Sequence, residues 1–302
     1  MSSSRSSLTR YAWLAIGAAL LTIVMKFGAY GLTGSIGLLS DALESLINLA
    51  AAIMALSMLT IAARPPDESH VYGHGKAEYF SSTVESVLIF VAAGGIMYAA
   101  VERLINPRPL EQLGLGLAVS LAAALVNLVV ARILLAAGKK HRSITLEADA
   151  QHLMTDVWTS VGVVLGLGLV WLSGWDWLDP VVAIGVALNI TRTAYQLMRR
   201  SVAGLMDAAL PAEEQQIIED VLDSYRQTGV QFHALRTRRG ASRRFVSVHV
   251  LVPGAMSVHD AHHIAEDIEA DIRQALEDAV VFTHIEPVDD EISLHDISID
   301  RD

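Results

Sequence analysis

No cysteine occurs anywhere in the 302 residues. Thiolate sites for copper(I), iron–sulfur clusters and disulfide frameworks are therefore excluded, and any metal chemistry must use imidazole, carboxylate, amide or water. A helical HExxH motif, which a zinc hydrolase would use to hold its metal beside a general base, is also missing. No internal repeat is visible, and the Gly, Ala and Leu of the apolar runs read as helix packing, not as a nucleotide signature. The opening MSSSRSSLTRYAW lacks the small-residue exit of a cleavable signal, so the first apolar run is expected to be retained as a span. Basic residues are scarce in the last third. Residues 207–302 carry 8 Lys/Arg against 20 Asp/Glu, a net −12, whereas residues 1–206 carry 14 against 13, a net +1. The acidic part should repel nucleic acid and attract divalent cations. It also holds seven of the eleven histidines.

What is present in quantity is apolar surface. Hydrophobic residues make up 52% of the chain and its mean hydropathy is +0.41, beyond the range of an ordinary soluble domain. Six apolar runs, near 11–32, 37–62, 80–105, 113–137, 144–172 and 180–198, are long enough to span ~30 Å of hydrocarbon at ~1.5 Å per residue. Turn and breaker segments separate them: TGS, ARPPDE, NPRP, GKKHR and SGWDWLDP. Arg5, Arg10, Arg64, Lys76, Lys139, Lys140, Arg142, Arg199 and Arg200 all fall on one side of this alternation. By the positive-inside rule both termini face the cytoplasm of a multi-pass membrane protein, and the inner membrane of a prokaryote is the expected location. Lys26, Arg132 and Arg192 interrupt their spans close enough to an end to snorkel. Glu85, near the cytoplasmic end of the third span, is expected to be wet.

After Leu210 the periodicity changes. PAEEQQIIEDVLDSYRQTG reads as an amphipathic helix, VQFHALRTRR and RRFVSVHVLVP as strands about a tight turn, the run from Ser257 to about Glu277 as a second helix, and AVVFTHIEP as a third strand. The expected fold is an all-α, six-helix transmembrane domain over 1–208, a small α+β domain of order α-β-β-α-β over 209–288, and an acidic tail over 289–302.

Ionisable groups inside a bilayer are costly and mark paths for ions or protons. His152 and Asp156, four apart in the fifth run, share one helix face, and so do Glu44 and Asn48 in the second. Two such pairs on two helices could close a four-ligand site for Zn²⁺, with Fe²⁺, Co²⁺ and Mn²⁺ also fitting N/O ligands; the bland alternative is hydrogen bonding between helices. Asp41, one turn before Glu44, is a candidate fifth participant. In the second connection, DESHVYGHGKAEYF, the residues Asp67, His70 and His74 could hold a surface metal ion or be a solvated loop. In the acidic domain His233 and His249 lie on adjacent strands, and His284 and Glu286 share one face of the third strand. His259, His262 and His263 cluster on one helix face.

The ordered motifs GSIGLLSDALESLIN, HVYGHGKAE, DAQHLMTD, GLMDAALP, HALRTR, SVHVLV, DAHHIAEDIE and THIEP together resemble the cation diffusion facilitator family of divalent-metal transporters along nearly the whole chain. The resemblance implies a metallochaperone-like cytoplasmic domain, a homodimer, and efflux of metal against protons, with metal as substrate and regulator, Zn²⁺ foremost, and no other cofactor. It puts the intramembrane ligands on Glu44, Asn48, His152 and Asp156 and a loop site on Asp67, His70 and His74. Cytoplasmic sites fall on His233, His249, His262, His284 and Glu286, and a dimer charge interlock on Lys76 and Asp207. Family members usually carry His or Asp, then Asp, where Glu44 and Asn48 stand, so one negative charge is missing here. The rivals are a membrane sensor that binds metal without moving it, and a membrane metallohydrolase.

Overall fold

The computed structural model describes residues 8–33, 36–106, 115–175, 177–295 and 297. They divide into two compact units, Met1–Val202 and Ala203–Asp302.

The first unit is helical. Its elements are α1 (Thr9–Thr33), α2 (Ile36–Ala62), α3 (Ala77–Ile105), α4 (Leu115–His141), α5 (Ile144–Ser173) and α6 (Leu178–Leu205), the last running three residues past the boundary of the unit. Among the described residues Thr9–Gly31, Ala77–Ile105, Ala118–His141 and Pro180–Leu205 are long and apolar enough to cross a membrane. Helices α2 and α5, of similar length, carry the polar pairs. The packed centre joins α1, α2, α4 and α5 through Ala12, Ala15, Ala52, Ala131, Ala150, Leu134, Leu146 and Leu153. Small residues dominate because lipid tails provide no hydrophobic push between helices, so close backbone approach must provide the attraction. At Gly162 of α5 an added Cβ would stand 2.9 Å from Val186 Cγ2 of α6. The outward faces carry exposed Trp13, Val24, Tyr98 and Leu125, as lipid contact requires. Arg132 and Arg192 are exposed. Lys26 and Glu85 depart from expectation: neither is exposed, Lys26 being buried and Glu85 wholly so. Their helices turn these residues toward the bundle.

The second unit contains α7 (Ala212–Arg226), β1 (Gln231–Gly240), β2 (Arg243–Val252), α8 (Val258–Ala275), β3 (Ala279–Pro287) and a short 3-10 turn at Glu291–Leu294, where a loose tail was expected. The sheet order is β1-β2-β3, antiparallel between β1 and β2 and parallel between β2 and β3. Helix α8 starts as its sequence suggests: the Asp260 amide donates to Ser257 Oγ at 3.1 Å, and that hydroxyl donates to Asp260 Oδ2 at 2.6 Å. Val246, Val248, Val250 and Val252 of β2 join Ile218 and Leu222 of α7 and Ile268 and Ile272 of α8 in the core. Strand alternation sends Phe245, Ser247, His249 and Leu251 to the opposite face. Arg244, also buried, ties the start of β2 to α7 by a forked pair with Glu214, at 2.9 and 2.6 Å.

Candidate metal centres

Within the helical unit, α2 and α5 bring Asn48, His152 and Asp156 together, each under a tenth exposed. The Asn48 amide bridges the other two. Its Nδ2 donates to Asp156 Oδ2 at 2.6 Å, and its Oδ1 lies 2.6 Å from His152 Nε2. A carboxylate can only accept, so the amide nitrogen must face Asp156 and the amide oxygen His152. The imidazole then carries its proton on Nε2 and its lone pair on Nδ1. That Nδ1 is buried with no hydrogen-bond partner among the described residues. Glu44 lies in α2, but its side chain, like that of Asp41, is outside the described residues.

A residue that sequence reasoning missed completes the group. Asn127 of α4, almost fully buried, donates from Nδ2 to the same Asp156 Oδ2 at 2.9 Å, and its own Oδ1 has no partner among the described residues. The signal was present: one amide stands mid-helix in the run LAVSLAAALVNLVVARILL.

The second group is the connection between α2 and α3. Asp67 Oδ1 lies 3.3 Å from His70 Nδ1, and Asp67 Oδ2 lies 3.2 Å from His74 Nε2. The three ligand atoms fall within 4.8 Å of one another. The amides of Ser69 and His70 both donate to Asp67 Oδ1, at 3.0 and 2.7 Å, closing a side-chain turn. Gly73, at φ 86°, reverses the chain so that His74 returns to the carboxylate. The backbone N–H of His70 is the main cause that holds the Asp67 carboxyl below its usual range, with help from its side chain. A carboxylate so held loses its bonds only when pH falls through the lowered value. Asp67→Asn should weaken zinc binding at this loop, because its carboxylate meets both imidazoles, as calorimetry of the purified protein would read.

The third group is on the sheet face away from the helices. Register places His233 opposite His249 and His249 opposite His284, a row across all three strands. A bulge makes this row. From Arg236↔Ser247 to Gly240↔Arg243 the β1–β2 pairing follows one register, which extended would put His233 opposite Val250, on the helix-facing side. The irregularity between His233 and Arg236, with Ala234 at φ 49°, shifts the strand by one residue and turns His233 to the face of His249. Glu286 lies at the centre. Its Oε2 is 2.7 Å from His233 Nε2 and 3.3 Å from His249 Nδ1, and its Oε1 is 3.4 Å from His284 Nε2. His233, His249 and Glu286 can present ligand atoms to one point, while His284 stands at the rim, 64% exposed.

His262 does not join this group within one chain. It is exposed on α8, its ring 6.1 Å from that of His263, which packs against His259 at 4.6 Å. The reason is layer order: α8 covers the valine face of the sheet, and the histidine row occupies the other. The expected charge interlock has one member in each unit. Lys76 directly precedes α3, and Asp207 follows α6 at φ 55°, where its Oδ1 accepts from Arg238 Nη1 at 3.1 Å. Arg238 in turn lies 4.0 Å over the Phe245 ring.

Two family models match this chain: the cation efflux transmembrane domain over residues 12–206, and the cytoplasmic domain of cation efflux proteins over residues 210–288. The chain belongs to the cation diffusion facilitator family. Among its relatives, the transporter sll1263 of Synechocystis sp., which is uncharacterised, is 52% identical over 93% of this chain and 90% of its own length. The cation-efflux pump FieF of Citrobacter koseri is 31% identical over 92% of each chain, and FieF of Escherichia coli 30% identical over 92% of each. Among solved structures, a CzrB chain in its zinc form is 31% identical, covering 26% of this chain and 91% of its own, with a TM-score of 0.26. The family is one of multi-pass membrane transporters that export cations, and this chain is a member by both of its domains.

Proposed function

We propose that this chain exports divalent cations, Zn²⁺ foremost, from the cytoplasm in exchange for protons. In this reading it works as a homodimer in a prokaryotic inner membrane, with both termini cytoplasmic. The observation that carries the reading is the buried network of His152, Asn48 and Asp156 on two helices of the membrane unit. An imidazole with a free lone pair, an amide oxygen and a carboxylate are a coherent ligand set for a borderline dication, and Glu44 would supply the fourth arm.

The hydrogen bonds suggest how loading proceeds. With no cation between them, the Asn48 amide links donor to acceptor and keeps Asp156 from standing as an unpaired buried charge. An arriving dication takes over that role. Asn48 can ligate only through its oxygen, so its Nδ2 must leave Asp156, and the freed carboxylate turns to the metal. Ligands must be deprotonated to bind, so loading releases any proton the site holds, and protonation from the other side favours release of metal. On this scheme the loop and sheet groups are regulatory. Metal at the sheet group neutralises part of the −12 charge of residues 207–302 and favours association of the cytoplasmic domains. Zinc loading of sealed vesicles containing only the purified chain, driven by an imposed pH gradient, tests the reading, and absence of flux would leave a sensor or a hydrolase.

Asn48 should set metal preference. Asn48→Asp adds a carboxylate within contact of Asp156, a pair that cannot both be ionised without a cation or a proton between them. The harder, more charged site should favour Mn²⁺ over Zn²⁺ relative to wild type by about tenfold, ~1.4 kcal/mol of differential binding. Parallel flux measurements with the two metals read this ratio, and an unchanged ratio would remove Asn48 from the ligand set.

A further inference from the structure

The inward face of α3 is polar. Glu78, Ser81, Ser82, Glu85 and Ser86 recur at the three- and four-residue spacing of one helix face, and all five are buried. Most of this seam is satisfied locally. Glu78 accepts from the Ser143 hydroxyl, and its backbone carbonyl accepts from Thr145 at 3.1 Å. Ser82 shares a hydrogen bond of 2.7 Å with Ser201 of α6, Ser86 donates to the Ser82 carbonyl at 2.6 Å, and Ser81 donates to Glu85 Oε1 at 2.9 Å. Two oxygens are left over. Glu85 Oε2 and, on α5, Asp149 Oδ2 are buried with no hydrogen-bond partner among the described residues. The two side chains are 0% and 1% exposed, and their carboxyl groups lie within electrostatic reach of each other. Neither pairs with Lys, Arg or His among the described residues.

Two ionised carboxylates cannot share a dry site without a cation. One proton resolves both difficulties: it removes half of the charge and turns one acceptor into a donor. We propose that Glu85 and Asp149 form a proton-binding site, separate from the metal ligands, which holds one proton while the intramembrane metal site is empty and releases it when a dication arrives. Its place in the fold fits the task. Asp149 precedes His152 by one turn of α5, ~4.5 Å of rise, so a dication on His152 and Asp156 acts on it at short range through a medium of low dielectric. The Glu78–Ser81–Ser82 stretch of the seam continues from the pair to the start of α3, beside the loop after α2.

Few other titratable groups press on the pair. On α5 there are Glu147, held by Arg200 of α6 at 2.7 Å, and His152 and Asp156. On α3 there is Glu78, held by Ser143. Helix α1 contributes the buried Lys26, and α2 contributes none among its described side chains. Arg132, Lys139 and Lys140 of α4 and Arg192 and Arg199 of α6 are exposed. The pair therefore answers to charge at the metal site and to protons arriving along the seam. This inference rests on the proton-coupled reading above and assigns part of the coupling to residues outside the ligand set.

Infrared difference spectroscopy of the purified full chain at neutral pH, with and without zinc, reads the C=O stretch of a protonated carboxyl. The metal-free wild type should show that band and zinc should remove it. Glu85→Gln and Asp149→Asn, which imitate the protonated form in shape, should each lack it. In vesicles both variants should still move zinc, with one proton fewer returned per ion. A band absent from the wild type, insensitive to zinc, or retained in both variants overturns the proposal, and so does an unchanged ratio of protons to zinc in the variants. If wild-type vesicles move zinc with no proton movement while the band behaves as expected, the proton-coupled reading fails and the proton site stands.

Discussion

Vesicles carrying Asp156→Ala are expected to move zinc at least about a hundredfold more slowly than wild type, while the protein still folds and dimerises. Losing a partner that merely orients a ligand costs 10–100-fold in metal affinity or activity, and Asp156 would be a ligand itself. It is also the acceptor on which two amides converge, Asn48 from α2 and Asn127 from α4. Its loss leaves both buried Nδ2 groups without this acceptor, at ~1–3 kcal/mol each, but it also removes a buried charge. These effects oppose each other, so stability should change far less than transport. His152→Ala should behave alike. Initial rates in proteoliposomes, beside size-exclusion profiles, separate the two effects. Normal flux from Asp156→Ala would remove the intramembrane assignment.

In the second unit the largest loss is expected from Glu286→Ala. The carboxylate contacts all three imidazoles of the row, and two of these contacts converge on one oxygen. Removing it takes away a ligand and the group that orients His233 and His249. Zinc affinity at this face should fall about a hundredfold, and with it the zinc-driven association of the cytoplasmic domains. His295, on the exposed end after β3, should tolerate alanine without effect. Calorimetry with light scattering on residues 203–302, which have their own core, reads both quantities. Equal responses from Glu286→Ala and His295→Ala would make the row incidental.

The membrane helices and the α-β-β-α-β order were legible because their signals are local. Apolar runs of span length, broken by ARPPDE and SGWDWLDP, and strands that alternate around Val246–Val252 declare themselves residue by residue. The pairs at four-residue spacing were legible for the same reason, since helical spacing alone puts His152 and Asp156 on one face. Groups that depend on register or on helix rotation were not. Sequence gave no means to see that a one-residue bulge turns His233 toward His249. Nor did it show that Asn127 on a third helix would reach Asp156. Glu85 was expected in water because it lies near a span end, but the rotation of α3, which packs on α5, buries it in the bundle. His262 was grouped with the sheet histidines by resemblance, whereas the layer order puts it across the sheet from them in a single chain.

The central claim is that metal and protons cross in exchange through one chain, and it can be tested in a single recording. Purified protein is sealed into vesicles with a fluorescent zinc indicator and a pH dye in the lumen, and zinc is added outside. Luminal zinc should rise while luminal pH rises with it, both at rates set by the zinc concentration, and Asp156→Ala should suppress the two signals together. Zinc entering the lumen with no change in luminal pH would contradict exchange, and no zinc movement at all would contradict transport.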